Sequence, residues 1–254
     1  MDNLDNEQKI QEDLYEFPYH HIPRFLNENF SAIRAHRGAY EYLGYVNFLI
    51  SKIKKISFSN LLDVGCGDGK LLFELSSQIP GKKYFGIDFS ERAILFAKAF
   101  SPNVEFLCGD ITKENFEKCD VITLIETLEH IPLDEVSTFL KAIHKNISET
   151  GTLIITVPSV NEPLSPKHYQ HFDLELLRSI LDPFFTISEY GFLNKKSSRS
   201  RIFKSILVNR FFALNYRPFL NKIFHSYIKN SLIANEQNAR RIFVICKPKI
   251  GDST

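Results

Sequence analysis

Three side chains able to do chemistry crowd one short stretch of the chain, Glu126, Glu129 and His130 in VITLIETLEHIP at 121–132. If that stretch is helical, offsets of three and four put them within an arc of about 100°. Two carboxylates and an imidazole on one side could hold a divalent cation, magnesium, manganese or zinc. Alternatively, Glu129 bonds locally and His130 works alone as a general base, since an ordinary imidazole titrates near neutral pH. A second stretch, LLDVGCGDGKL at 61–71, has the spacing of a loop that holds a nucleotide. Gly65, Gly67 and Gly69 permit positive φ and a close approach of bare backbone, and a helix starting at Lys70 would aim unpaired N–H groups into the turn. Asp88 closes the next apolar run, KYFGIDFS at 83–90, about 20 residues past the loop, where an acidic side chain can grip a ribose diol.

Alternating strands and helices must position these residues. Leu61, Leu62 and Val64 read as a buried strand, and further strands are expected at 83–88, 106–111, 121–125, 151–159, 184–192 and 240–249. Helices are expected at 90–100 with Ser90 as cap, at 134–148, and at 173–181 with Asp173 as cap. Apolar spacing from Ile33 to Ile56 predicts one or two more, with Ser31 a candidate cap. Near the start, YEFPYHHIP at 15–23 sets aromatic and histidine side chains between prolines that prevent a continuous helix. Tyr19, His20 and His21 there are either a lid touching substrate or a cap on the sheet.

The ordered series resembles the class I S-adenosylmethionine-dependent methyltransferases over roughly residues 40–190 and the last strand. A dinucleotide dehydrogenase would want GxGxxG, and Lys70 stands in the final glycine's place; the methyltransferase pattern wants an acidic residue two before the first glycine, which is Asp63. The resemblance implies an α/β fold: a Rossmann-like seven-stranded sheet with helices on both faces, an antiparallel last strand and a helical insertion before it. It implies S-adenosylmethionine as cofactor, bound by Asp63, Gly65, Gly67, Gly69, Asp88 and Phe89, with Asp110 at the adenine amino group and Ile111 beside the ring. The divisions it suggests are a lead-in and lid at 1–30, a core at 31–194, the insertion at 195–239, and a last strand and tail at 240–254.

In this fold the C-terminal edge of the fourth strand faces the methyl group, so Glu129 and His130 become the candidate catalytic residues. KHYQHFD at 167–173 is similar to the segment that supplies a distant metal histidine in two groups, the small-RNA 3′-terminal 2′-O-methyltransferases and the ubiquinone-pathway O-methyltransferases. Carried over, the ligands would be Glu126, Glu129, His130 and His168, with His171 as the fallback or a substrate contact. A chelated acceptor would be a vicinal diol or catechol. A sugar hydroxyl on a glycan or lipid-linked glycan is the first expectation, followed by an RNA 3′ end and a quinone precursor. An amino sugar is a further acceptor if His130 acts alone. A non-catalytic, cofactor-binding regulatory subunit is the alternative from another class.

Bulk properties sharpen this little, except in how charge is distributed. The 254 residues carry a net +1, but residues 1–194 sum to −10 and residues 195–250 to +12. RIFKSILVNRFFALNYRPFLNKIFHSYIKNSLI at 201–233 reads as two basic amphipathic helices broken near Pro218. It suits a peripheral membrane contact through 195–233, a lipid-linked acceptor or a dimer interface; nucleic acid ranks lower, because overall charge is near neutral. Cys66, Cys108, Cys119 and Cys246 show no CxxC pairing and are expected as reduced core residues. The acidic start, MDNLDNEQKIQEDL, is unlike a signal peptide, and no apolar run of about 18 residues exists to span a bilayer. A cytoplasmic location, peripheral at the inner face of the membrane, is the expectation.

Overall fold

The computed structural model describes residues 7, 8, 10, 24–26, 29–31, 39–207, 209, 211, 212, 214 and 216–250. The lid segment with Tyr19, His20 and His21 lies outside the described residues. Two short strands, β1 (Arg24–Leu26) and β2 (Asn29–Ser31), pair antiparallel and precede α1 (Ala39–Ile53). Ser31 therefore ends a strand, pairing with Arg24, rather than capping the helix.

From there strand and helix alternate: β3 (Asn60–Val64), α2 (Lys70–Gln78), β4 (Lys83–Asp88), α3 (Glu91–Phe100), β5 (Glu105–Cys108), β6 (Cys119–Ile125), α4 (Val136–Asn146), β7 (Ile147–Pro158), α5 (Leu174–Leu181) and β8 (Phe185–Lys195). Two helices, α6 (Ser198–Leu207) and α7 (Arg217–Asn230), lead to β9 (Ala239–Pro248). The seven long strands form one sheet in the order β5-β4-β3-β6-β7-β9-β8. Strands β3 to β7 pair in parallel, and β9 slots antiparallel between β7 and β8.

Period-two alternation decides which helix covers which face. Leu61, Val121 and Ile154 pack with Val46, Leu49 and Ile50 of α1, Leu72 and Leu75 of α2, and Ile94 of α3. Their neighbours Leu62, Ile122 and Ile155 face the other way, onto Phe139, Leu140 and Ile143 of α4 and Leu177 of α5. The caps form as their residue types dictate: Ser90 Oγ accepts from the Ala93 N–H, and Asp173 Oδ1 from the Leu176 N–H.

The insertion is a helical cap with its own apolar cluster. Leu207, Ile223 and Tyr227 pack on Tyr40 of α1, and Tyr227 donates to Asn194 Oδ1 at 2.8 Å. The two helices expected to break near Pro218 do so: α6 ends at Leu207 and Pro218 lies in the first turn of α7, where it opens that helix. Three cysteines, Cys66, Cys119 and Cys246, are buried as expected, while Cys108 is exposed at the end of β5.

Sheet order also sets the site. Strands adjacent in space but served by crossovers in opposite directions, here β3 and β6, leave a crevice at their C-terminal ends. The glycine loop bends into that crevice because Phe106 of β5 lodges behind it, with the ring filling space beside Gly69 and Gly86. A Cβ on Gly86 would lie 2.6 Å from the Phe106 ring and 2.9 Å from Cys66 Sγ. Gly86→Ala is therefore expected to lower stability by about 1–3 kcal/mol through overpacking. Urea unfolding checks this; an unchanged midpoint would mean the ring moves aside freely.

Candidate active site

A cavity of about 540 Å³ opens at the ends of β3, β4 and β6. Every residue expected to bind cofactor except Gly69 lines it: Asp63, Gly65, Gly67, Asp88, Phe89, Asp110 and Ile111. Gly65 has φ 73°, and a Cβ there would lie 2.5 Å from Thr127 Oγ1, so neither the backbone nor the space admits a side chain. Gly69 (φ 74°) forms the N-cap of α2 without any capping side chain, which leaves the first turn's N–H groups for a ligand. Asp88 fixes the loop: its carboxylate accepts from the Gly67 N–H at 2.8 Å and from the Ser90 N–H at 2.9 Å. Asp110 accepts from both the N–H and the hydroxyl of Thr112, at 2.9 and 2.8 Å. Burial alone would raise its pKa, but these bonds and Lys113 hold it below the usual range.

Asp63 is buried beneath the loop, where its carboxylate accepts from the Thr123 hydroxyl at 2.6 Å. Burial pushes its pKa up to about 7, with Asp88 adding to the effect and the Thr123 bond opposing it. The sign of the linkage follows. Between the unfolded value near 4 and the folded value near 7 the native state alone keeps the proton, so stability falls as pH rises through that window and is flat above it. The loss is on the order of 4 kcal/mol. Asp63→Asn, which keeps an acceptor for Thr123, is expected to abolish most of that slope and to be more stable than the parent at pH 8. Urea titrations of both proteins at pH 5 and pH 8 check this; parallel curves would place the titration elsewhere.

Beside the glycine loop, β6 ends at Ile125 and the chain turns sharply. Glu126 takes φ 55°, a left-handed conformation that is costly for a residue with a Cβ and that recurs at functional sites. The segment is thus not helical at Glu126, and the expected common arc of Glu126, Glu129 and His130 does not form. The Glu126 carboxylate instead accepts from Arg241 Nε at 2.9 Å and from the Thr156 hydroxyl at 3.2 Å. Tyr45 of α1 completes the chain, its hydroxyl bonding Thr156 while Arg241 lies over its ring, 5.0 Å from the centroid. Burial works against the Arg241 charge, yet Glu126 raises its pKa above the ordinary value. No local signal in the sequence marks Arg241 or Tyr45, since each meets Glu126 only through the sheet.

Glu129 and His130 sit in a single 3₁₀ turn, Leu128–His130. Three of the four expected ligands come together there: Glu129, His130 and His168 each offer a donor atom within 4.8 Å of the others, and Glu126 stands outside this group. Hydrogen bonds fix which ring nitrogens are engaged and which are left with a lone pair. His130 Nδ1–H donates to the Lys167 carbonyl at 2.8 Å, which leaves Nε2 with a lone pair. His171 Nδ1–H donates to the Glu162 carbonyl at 3.1 Å; its Nε2 then accepts from His168 Nδ1–H at 2.8 Å, and the His168 Nε2 lone pair is left available. His171 is therefore the support of His168, not its substitute. Burial holds His130 at a pKa of about 4 and, with His130 adjacent, His168 at about 3, so both rings are neutral. Glu129 is 1% exposed, and its Oε2 has no hydrogen-bond partner among the described residues. Burial, reinforced by Glu126, raises its pKa well above the carboxylate range. A buried carboxylate with one orphaned oxygen, grouped with two neutral imidazoles whose Nδ1 atoms are already bonded, is a donor set that fits a divalent cation.

A parallel sheet with one antiparallel strand inserted next to its edge, and a glycine loop over an acidic β4 terminus, is the architecture of class I S-adenosylmethionine-dependent methyltransferases. A family model described as a methyltransferase domain matches residues 57–224, and the chain belongs to that family. It is 32% identical over 152 residues to a demethylmenaquinone methyltransferase of Lactococcus lactis, a match covering 54% of this chain and 58% of that protein. It is 32% identical over 120 residues to a ubiquinone biosynthesis O-methyltransferase of Rickettsia bellii, covering 44% and 48% respectively. The chain thus spans about half the length of the curated relatives it matches. Among solved structures, the N-methyltransferase NodS of Bradyrhizobium japonicum in complex with S-adenosyl-L-homocysteine superposes with a TM-score of 0.61 at 16% identity, covering 97% of this chain and 100% of that one. This likeness is one of fold. No described helix is long and apolar enough to cross a membrane.

Proposed function

We propose that the chain methylates one of two adjacent oxygens of its acceptor, with S-adenosylmethionine in the main cavity and a divalent cation held by Glu129, His130 and His168. The observation that carries this reading is the gathering of one potential donor atom from each of Glu129, His130 and His168 within 4.8 Å of one another, where Glu129 Oε2 has no partner among the described residues. His130 also lines the cofactor cavity, so the donor set borders the place where the methyl group would be presented. When bound, such a cation lowers the pKa of a coordinated hydroxyl and fixes its orientation. The chain does the rest. Asp88 and the glycine loop place the methyl donor, and the Arg241–Glu126 pair stiffens the strained turn that carries Glu129 and His130.

The similarity to a demethylmenaquinone methyltransferase and a ubiquinone biosynthesis O-methyltransferase favours a quinone-type acceptor, and on this reading the adjacent oxygens are those of a catechol precursor. The excess positive charge of residues 195–250 supports a second reading, the vicinal diol of a lipid-linked or otherwise anionic glycan at the inner face of a membrane. Exposed Phe211, Phe212 and Tyr216 between α6 and α7 suit such a surface. An RNA 3′ end offers the same diol but has less support. Methyl transfer to 3,4-dihydroxybenzoate and to 4-hydroxybenzoate, each with manganese or with EDTA, tests the proposal. It predicts turnover on the catechol alone and at least a hundredfold loss with EDTA. Equal turnover of both acceptors in EDTA would leave His130 as a simple base and admit single hydroxyls and amines.

A further inference from the structure

A second cavity, of about 380 Å³, lies where β8 hands over to α6. Its lining is cationic and hydroxylated: Lys196, Ser197, Ser198, Arg201, Lys204 and Arg240. Two of the four cations are neutralised. Lys204 pairs with Glu41 at 2.7 Å and Lys196 with Glu162 at 2.9 Å. Arg201 and Arg240 make no ion pair or side-chain hydrogen bond among the described residues, although Arg240 lies close enough to Glu41 to lower that carboxylate's pKa, against the opposing effect of burial. The concavity therefore carries two surplus guanidinium charges, whose planar donors match phosphoryl oxygens in pairs, with serine hydroxyls beside them.

Its position relates it to the main cavity. Arg240 is the neighbour on β9 of Arg241, which holds Glu126 in the wall of the main cavity. Tyr40 of α1 bonds Ser200, and Tyr45 of the same helix bonds Thr156 behind Glu126. The two cavities share no lining residue, but the walls of both are tied by hydrogen bonds to α1 and to the beginning of β9.

We infer that this basic cavity binds a phosphate or diphosphate group, the anionic handle of the acceptor methylated next door. What the anion is attached to rests on the reading of the main cavity as the methyl-transfer site; that an anion binds does not. The test needs no turnover, so failure here and failure of methyl transfer are distinguishable. Inorganic pyrophosphate is titrated calorimetrically, at low ionic strength, into the full chain saturated with S-adenosyl-L-homocysteine, which blocks the glycine loop as a competing anion site. Sedimentation with phosphatidylglycerol and phosphatidylcholine vesicles is measured in parallel. The parent protein should bind pyrophosphate, and the R201A/R240A protein should bind it at least tenfold more weakly while holding S-adenosyl-L-homocysteine as before. Arg201 is exposed, so R201A alone gives a variant safe for folding and should weaken binding several-fold. If only phosphatidylglycerol vesicles bind, and R201A/R240A abolishes that, the phosphate is a lipid headgroup. Pyrophosphate binding of equal strength in parent and variants, or no binding of pyrophosphate or vesicles, overturns the inference.

Discussion

His130→Ala should lower kcat about a thousandfold while leaving the affinity for S-adenosylmethionine within about twofold. The magnitude is that of losing a group that positions or deprotonates the acceptor at the reacting oxygen. The selectivity comes from placement. His130 stands on the 3₁₀ turn after β6 and lines the same cavity as the glycine loop and Asp88, which would hold the cofactor. Its ring is held by the bond to the Lys167 carbonyl, and the residue is one of the three grouped potential ligands. Glu129→Gln and His168→Ala should each produce a comparable loss if the three act as one unit, because residues that share one ligand are not additive. If His168→Ala leaves kcat intact while His130→Ala does not, His130 acts alone. An equal fall in cofactor affinity and kcat would instead show that the turn has collapsed.

Asp88→Ala should have the converse signature: cofactor affinity falls about 10- to 100-fold. Bonds to a charged acceptor contribute roughly 1.5–3 kcal/mol. The structure adds a second reason beyond a ribose contact, since the Asp88 carboxylate also ties down the Gly67 and Ser90 N–H groups. Removing it loosens the loop itself. Asp88→Asn keeps one acceptor oxygen and should lie between the parent and Asp88→Ala. Calorimetric titration of S-adenosyl-L-homocysteine measures both; unchanged affinity would remove Asp88 from the cofactor site.

Strand and helix positions were legible because burial writes a period into the chain. Apolar runs ended by glycine or Asp88 give β3 and β4, and Ser90 and Asp173 announce the helices they cap. The loop geometry was legible for a similarly local reason: glycine takes the positive φ of Gly65 and Gly69 without strain. What was hidden is what the sheet brings together from afar. Glu126, Glu129 and His130 look equivalent in sequence, yet Arg241, 115 residues away, draws Glu126 aside. His168 and His171 were indistinguishable by spacing, because which ring points inward depends on the Glu162 carbonyl behind His171. Ser31 misled, since a serine also suits a strand, whereas Pro218 marked the break between the two helices because a proline readily starts a helix. The basic run from Lys195 onward was visible as charge, but only the fold shows that Glu41 and Glu162 neutralise part of it.

The central claim is that Glu129, His130 and His168 form one metal-binding unit beside the methyl donor. The most direct measurement is calorimetric titration of manganese into protein stripped with EDTA, dialysed and saturated with S-adenosyl-L-homocysteine, alongside the His168→Ala variant. The parent should bind one equivalent and the variant none, with S-adenosyl-L-homocysteine binding unaffected. An absence of manganese and zinc binding in parent protein that still binds S-adenosyl-L-homocysteine would contradict it.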